Sequence, residues 1–349
     1  MAPLLGFWIE SGRLAAPGEV AALLAAPLAH ARARAERIRG LLASLSTAIV
    51  AAGLRPILLK GSHTAWRFFP EPGTRPTADV DILVSRAEGP AMEQILLDSG
   101  YALTLRQRRP TRSVWRPPGE DGRLRSLELT HAHNPLTIDL HLSMDRGFYG
   151  VSRSRLALPG EADLEPVPGI PDAYRGLRGP LLLLSLALHA SEDLYNLQLI
   201  RLVEMGMVSR GSADASALWR ETLAAGQRAR AMGDAFPALA LLSRLDPGAV
   251  PADVLAASRA EAPPSLRHVV DRLSPATAQR LEGIAVGDRL AGARTPVDKM
   301  RRVLHMLMPD SVAGSWRGLL GLYVTRTYQI FGGRVRWRSG PEGDDPPGS

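Results

Sequence analysis

Apolar residues recur along this chain with two different periods, and the change of period divides it. From Ala31 to Ala52 the positions Ile38, Leu41, Leu42, Leu45, Ile49 and Val50 form a helical stripe that Gly53 closes. Residues 1–30 are Ala- and Leu-rich, with Pro17 and Pro27 as punctuation. A short-period region follows. It predicts a strand over Pro56–Lys60, a helix from Ser62 to about Phe69, and a strand over Val80–Val84. Pro70, Pro72, Gly73 and Pro76 make the intervening loop irregular. Glu88 to Ser99 reads as a helix ending at Gly100. Tyr101–Gln107 and Leu124–His131 read as strands around an Arg/Pro/Gly-rich connection, and Leu136–Leu142 as the next strand. Residues 145–179 are rich in Pro, Gly and charge. Beyond them the pattern is helical, over about 181–208, 214–231, 234–245, 251–260, 264–273, 275–285, 296–308 and 315–331. The expected organisation is an N-terminal helical segment (1–52), a core with a mixed sheet (53–145), a linker or excursion (146–179), a helical C-terminal domain (180–335) and a basic, then disordered, tail (336–349). The fold class is α+β: a mixed β-sheet with flanking helices, then a mostly α-helical domain.

Within the short-period region, one strand carries two acids. In Asp79-Val80-Asp81-Ile82-Leu83-Val84 the alternation places Asp79 and Asp81 on one face, about 7 Å apart, and Val80, Ile82 and Val84 on the other. Side-by-side carboxylates repel unless a cation lies between them. No basic residue adjoins them in sequence, so a hard divalent ion is the natural counter-charge. On this reading, Asn at either position leaves the metal-free protein as stable as the parent or more so.

Composition narrows the chemistry. None of the 349 residues is cysteine, which excludes disulfides, Cys-ligated zinc, iron–sulfur clusters and thiol nucleophiles. A net charge of +7 favours polyanionic partners, although the Arg, Ala, Gly and Pro richness also has the character of a GC-rich genome. Lysine occurs only at Lys60 and Lys299, so a compact ammonium beside Gly61-Ser62 stands out in a chain that otherwise uses arginine. The first residues lack a basic n-region and no apolar run reaches the roughly 20 residues of a span. The chain reads as soluble and cytoplasmic, with no membrane span.

The ordered set Lys60-Gly61-Ser62, Arg75, Asp79-Val80-Asp81 and the strand-borne Asp139 resembles the nucleotidyltransferase superfamily that includes polymerase-beta-like enzymes. It is most similar to a bacterial family of uncharacterised nucleotidyltransferases. The motifs span roughly residues 50–145, with similarity in helical character alone toward residue 310. The gap from Ser62 to Asp79 is longer than in the minimal superfamily pattern. The resemblance implies Mg²⁺-dependent (or Mn²⁺-dependent) transfer of a nucleoside monophosphate from a triphosphate, ATP foremost. Asp79, Asp81 and Asp139 become catalytic metal ligands, with Asp139 on the acceptor side as ligand or base. Gly61 admits a phosphate close to the backbone and Ser62 opens a helix whose amides suit phosphate oxygens. Lys60 and Arg75 become charge partners of the triphosphate, with a salt bridge organising the 70–78 loop as the alternative for Arg75.

The expected acceptor is a small molecule or peptide, in keeping with a natural-product setting; a protein or tRNA end is the second candidate. A non-catalytic nucleotide-binding or antitoxin-like module is the third, and it does not need three acids. Arg106, Arg108, Arg109, Arg112 and Arg116, with Trp115, form either a solvated hairpin connection or a docking patch for nucleic acid. Arg334, Arg336 and Arg338 with Trp337 form a second basic group. His141 shares a face with Asp139 and reads as a hydrogen-bonded core histidine or as a group orienting that acid. His63 and His189 read as helix residues. The helical half, around residues 181–208, is expected to face the sheet and wall one side of a cleft floored by the three acids.

Overall fold

The sheet takes its two faces from the alternation of its strands. In the computed structural model, which describes residues 1–273 apart from 108–110, 127–129, 149–151, 193 and 195–196, together with 296–297, 300 and 303, the chain is α+β. The strands are β1 (Ile57–Leu58), β2 (Val80–Leu83), β3 (Ala102–Arg106), β4 (Arg112–Arg116), β5 (Ile138–His141), β6 (Arg146–Phe148), β7 (Ser152–Ser154), β8 (Leu164–Glu165) and β9 (Arg175–Leu177). Seven of them form a mixed sheet in the order β3-β4-β5-β2-β1-β9-β8, and β6 and β7 form a separate hairpin.

Val80 and Ile82 of β2, Ile138 and Leu140 of β5, Leu58 of β1 and Trp115 of β4 point to one face. There they pack against α2 (Gly18–Ala51) and α4 (Gly89–Asp98), meeting Ile38, Leu42, Leu45, Ile49, Met92 and Leu96. On the other face Ile57, Leu59, Leu83 and Leu177 join the core of the helical half. That half comprises α5 (Gly179–Glu192), α6 (Leu199–Arg210), α7 (Ala215–Arg228), α8 (Met232–Leu245), α9 (Ala252–Glu261) and α10 (Pro264–Asp271). One hydrophobic core therefore runs continuously from the sheet into the helices, driven by burial of the Leu-rich α5.

Four expectations are corrected. The long helix begins at Gly18, with Pro17 as its N-cap, and runs through Pro27. Proline there removes one helical hydrogen bond, but α1 (Ala2–Glu10) packs on the same stretch, where Gly6 lies against the Leu24 carbonyl. β4 lies inside the expected arginine-rich connection, because Ser113 and Trp115 alternate into the core, and of the strand expected over 124–131 the described residues 124–126 and 130–131 form none. Residues 146–179 add β8 and β9, and β9 pairs in parallel with β1. The helix expected over 181–208 is divided into α5 and α6. The expected helices 275–285 and 315–331, nearly all of 296–308, the basic group near Arg336 and the tail lie outside the described residues. No helix among those described is long and apolar enough to cross a membrane.

Candidate active site

β2 and β5 run parallel with Asp81 directly opposite Asp139 and Leu83 opposite His141. Registered residues on neighbouring strands share a face, so both acids and the imidazole emerge together, beside the area where the helical core meets the sheet. One ligand atom from each of Asp81, Asp139 and His141 lies within 4.8 Å of the others, and all three residues are buried. His141, two residues after Asp139, is thus a candidate ligand; the signal was the Asp-x-His alternation on one strand.

Two cations already face these acids. Lys60 Nζ donates to Asp81 Oδ1 at 2.6 Å, and His141 Nε2 lies 2.9 Å from the same oxygen. Arg112, registered opposite His141 on β4, donates diagonally to Asp139 Oδ2. Asp79 precedes β2, is half-buried, and receives no side-chain hydrogen bond among the described residues. The carboxyl groups separate accordingly. Burial and the Asp81 charge push Asp79 up to about 7. Burial works against Asp81 as well, but Lys60 and His141 outweigh it and hold its carboxyl far below the usual range. Burial, with the charge of Asp81, raises Asp139 despite Arg112.

The backbone beneath Lys60 is unusual. Its φ of 51° and ψ of −135° lie where glycine is the ordinary occupant, and a side chain there costs about 1–3 kcal/mol. Lysine occupies it nonetheless, in the position from which its ammonium reaches Asp81. Ser62, wholly buried, accepts a hydrogen bond at Oγ from the Asp81 amide at 3.0 Å and lies 3.4 Å from the Asp79 carbonyl. Its hydroxyl therefore fixes the start of β2. Gly61 opens α3 (Gly61–Arg67), and a Cβ on it would meet Thr77 Oγ1 at 2.6 Å and Arg75 Cζ at 3.1 Å. The Arg75 guanidinium lies over that glycine and donates to Glu204 Oε2 at 2.9 Å and to the Pro76 carbonyl. Arg106 is held by both oxygens of Glu93, and Arg108 and Arg109 lie outside the described residues.

Arg34 carries no sequence signal. It is 1% exposed and donates to the carbonyls of Thr77, Ala78, His131, Asn134 and Pro135. These carbonyls lie just before β2 and β5, so one guanidinium from α2 fixes the entry of both acid-bearing strands. Burial, with a contribution from Arg37, lowers its pKa to about 10, so it remains charged near neutrality. Arg34→Met is expected to cost about 4 kcal/mol by leaving buried carbonyls unpaired. Urea unfolding measures this, and hydrogen exchange at Val80 and Ile138 locates it. A loss below about 1 kcal/mol contradicts the assignment.

This fold and this site define an α+β protein with a candidate divalent-cation centre on one sheet face, walled by paired cations. The chain belongs to an uncharacterised nucleotidyltransferase family, whose sequence model matches residues 2–244. The match runs from α1 into α8 and so takes in both the acid-bearing sheet and much of the helical half. No curated protein and no solved structure matches the chain.

Proposed function

We propose that the protein transfers a nucleoside monophosphate from a nucleoside triphosphate, ATP foremost, to a hydroxyl or phosphate of a small-molecule or peptide acceptor. The observation that carries this reading is the registered pair Asp81 and Asp139 with His141 beside them. Two carboxylates and an imidazole within one ion's reach form a donor set that fits Mg²⁺ or, still better, Mn²⁺. Asp81, Asp139 and His141 would hold that ion, with Asp79 as the further carboxylate. When bound, it supplies charge neutralisation at the transferring phosphate and at the acceptor oxygen.

The protein's own groups divide the remaining work. In the transfer the acceptor oxygen bonds to the α-phosphorus, the α–β phosphoanhydride breaks, and pyrophosphate leaves with that bond's electron pair. Asp139, held by Arg112, stands on the acceptor side and takes the acceptor's proton. Lys60 and Arg112 stabilise the charge of the phosphates. Ser62 and Arg75 act on the nucleotide indirectly: Ser62 holds β2, and Arg75 holds the Gly61 turn. A triphosphate substrate suits the cytoplasm, where such nucleotides are made.

The engagement of Arg106 by Glu93 and of Arg112 by Asp139 removes two arginines from any docking patch and favours a small acceptor over tRNA or protein. Incubation with each labelled triphosphate, Mg²⁺ or Mn²⁺ and pooled small acceptors is expected to release pyrophosphate. Asp139→Asn should cut that release by about a thousandfold while changing ATP affinity less than about threefold. Failure to release pyrophosphate from any triphosphate, or full turnover by Asp139→Asn, overturns the proposal.

A further inference from the structure

We infer that Glu204, on α6 of the helical half, is a positioning residue for Lys60. Its carboxylate is 1% exposed and bonds two groups that bracket the Lys60-Gly61 turn. Arg75 donates to Glu204 Oε2 at 2.9 Å, and the same guanidinium lies against Gly61, 3.1 Å from where a Cβ would stand, beside Thr77 Oγ1 at 2.6 Å. Thr64, the residue one turn into α3, bonds Glu204 Oε1 and also lies 2.9 Å from the Lys60 carbonyl, which its backbone amide reaches at 2.8 Å. Glu204 thus grips the strained residue's carbonyl side through Thr64 and its following glycine through Arg75. The far end of Lys60 is fixed on Asp81 at 2.6 Å.

A carboxylate 140 residues away in sequence from Thr64 is costly to bury in the interior without a partner. Arg75 supplies the counter-charge, and holding the turn supplies the role. An unclamped Lys60 relaxes toward ordinary negative φ, which swings its ammonium away from Asp81. The helical half is then part of the phosphate-side machinery as well as a wall for the acceptor. The functional part of this inference rests on Lys60 facing the triphosphate; the positional part does not.

The test is a double-mutant cycle in thermal melts of the full chain without nucleotide, combining Glu204→Gln with Lys60→Met. Lys60→Met should lower Tm by several degrees in the parent and by less than half as much in Glu204→Gln, because the ammonium has already left Asp81. Sites that act independently give additive shifts. Additive shifts here overturn the inference. If Glu204→Gln does not fold, Thr64→Val replaces it in the same cycle, with the same two outcomes. In a second arm, Glu204→Gln should reduce the preference for ATP over adenosine by about tenfold, as Lys60→Met does. A purely structural Glu204 lowers Tm and leaves that preference intact. Should no variant or parent bind ATP, the proposed transferase reading fails, while a non-additive cycle still establishes Glu204 as the clamp of Lys60.

Discussion

Asp79→Asn is expected to stabilise the metal-free protein at pH 8, and Asp81→Asn to destabilise it. The sequence treats the two acids as equivalents, but their surroundings differ. Asp79 has no donor among the described side chains and its folded pKa is raised from 3.8 to about 7. A raised carboxyl means that the folded state disfavours the ionised form. Its contribution to stability therefore declines as pH rises through about 4 to about 7 and stays low above that. Asparagine removes the penalty, giving roughly 2 kcal/mol at pH 8 after discounting for partial solvent exposure, and nothing below about pH 4.

Asp81 has the opposite sign. Its lowered carboxyl contributes stability that is fully present above the unfolded value of 3.8 and is lost as pH falls below it. Asp81→Asn leaves the Lys60 ammonium, 13% exposed, without its partner, which costs about 3–5 kcal/mol. Melts of both variants in a chelator at pH 4 and pH 8 decide the matter. Equal stabilisation by both would mean that Lys60 is not the counter-ion of Asp81.

Lys60→Met is expected to tighten Mn²⁺ binding by about tenfold when no nucleotide is present, a difference of about 1.4 kcal/mol. Asp81 Oδ1 is shared between Lys60 Nζ at 2.6 Å and His141 Nε2 at 2.9 Å. A divalent ion held by Asp81, Asp139 and His141 competes with the ammonium for that oxygen, and two positive charges at one carboxylate repel. In the presence of ATP the sign reverses, because the displaced ammonium gains the phosphates as its partner. Lys60→Met should then weaken ATP more than adenosine. His141→Ala serves as the control, since it removes a ligand and should weaken Mn²⁺ by at least about tenfold in both conditions. Isothermal titration with Mn²⁺, first alone and then with a non-hydrolysable ATP analogue, reads both effects. Unchanged or weaker Mn²⁺ affinity in nucleotide-free Lys60→Met refutes the competition.

Local interactions are legible in this sequence, and long-range ones are not. Alternation alone put Val80 and Ile82 in the core and Asp81 on the other face, because the side-chain period of a strand is a property of its backbone. The order Lys60-Gly61-Ser62, Asp79-x-Asp81, Asp139 was enough to indicate the family, because the order of motifs along a chain needs no knowledge of pairing. Proline and arginine misled where packing prevailed. Pro27 sits inside a helix that α1 supports, and Arg112 and Arg116 lie on a strand whose alternate residues are buried. The electrostatic character of the site was not legible. Nothing in sequence places Lys60 on Asp81, Arg112 on Asp139, Arg34 among five carbonyls, or Glu204 beneath the Lys60 turn. Each of those contacts joins residues far apart in the chain. Their energies depend on burial and on distances of a few ångströms, which only the packing of sheet against helices decides. The sequence determined which groups are present and which face of a strand they share. The tertiary structure determined which of them neutralise one another, and so which cations an incoming metal ion has to compete with at Asp81 and Asp139.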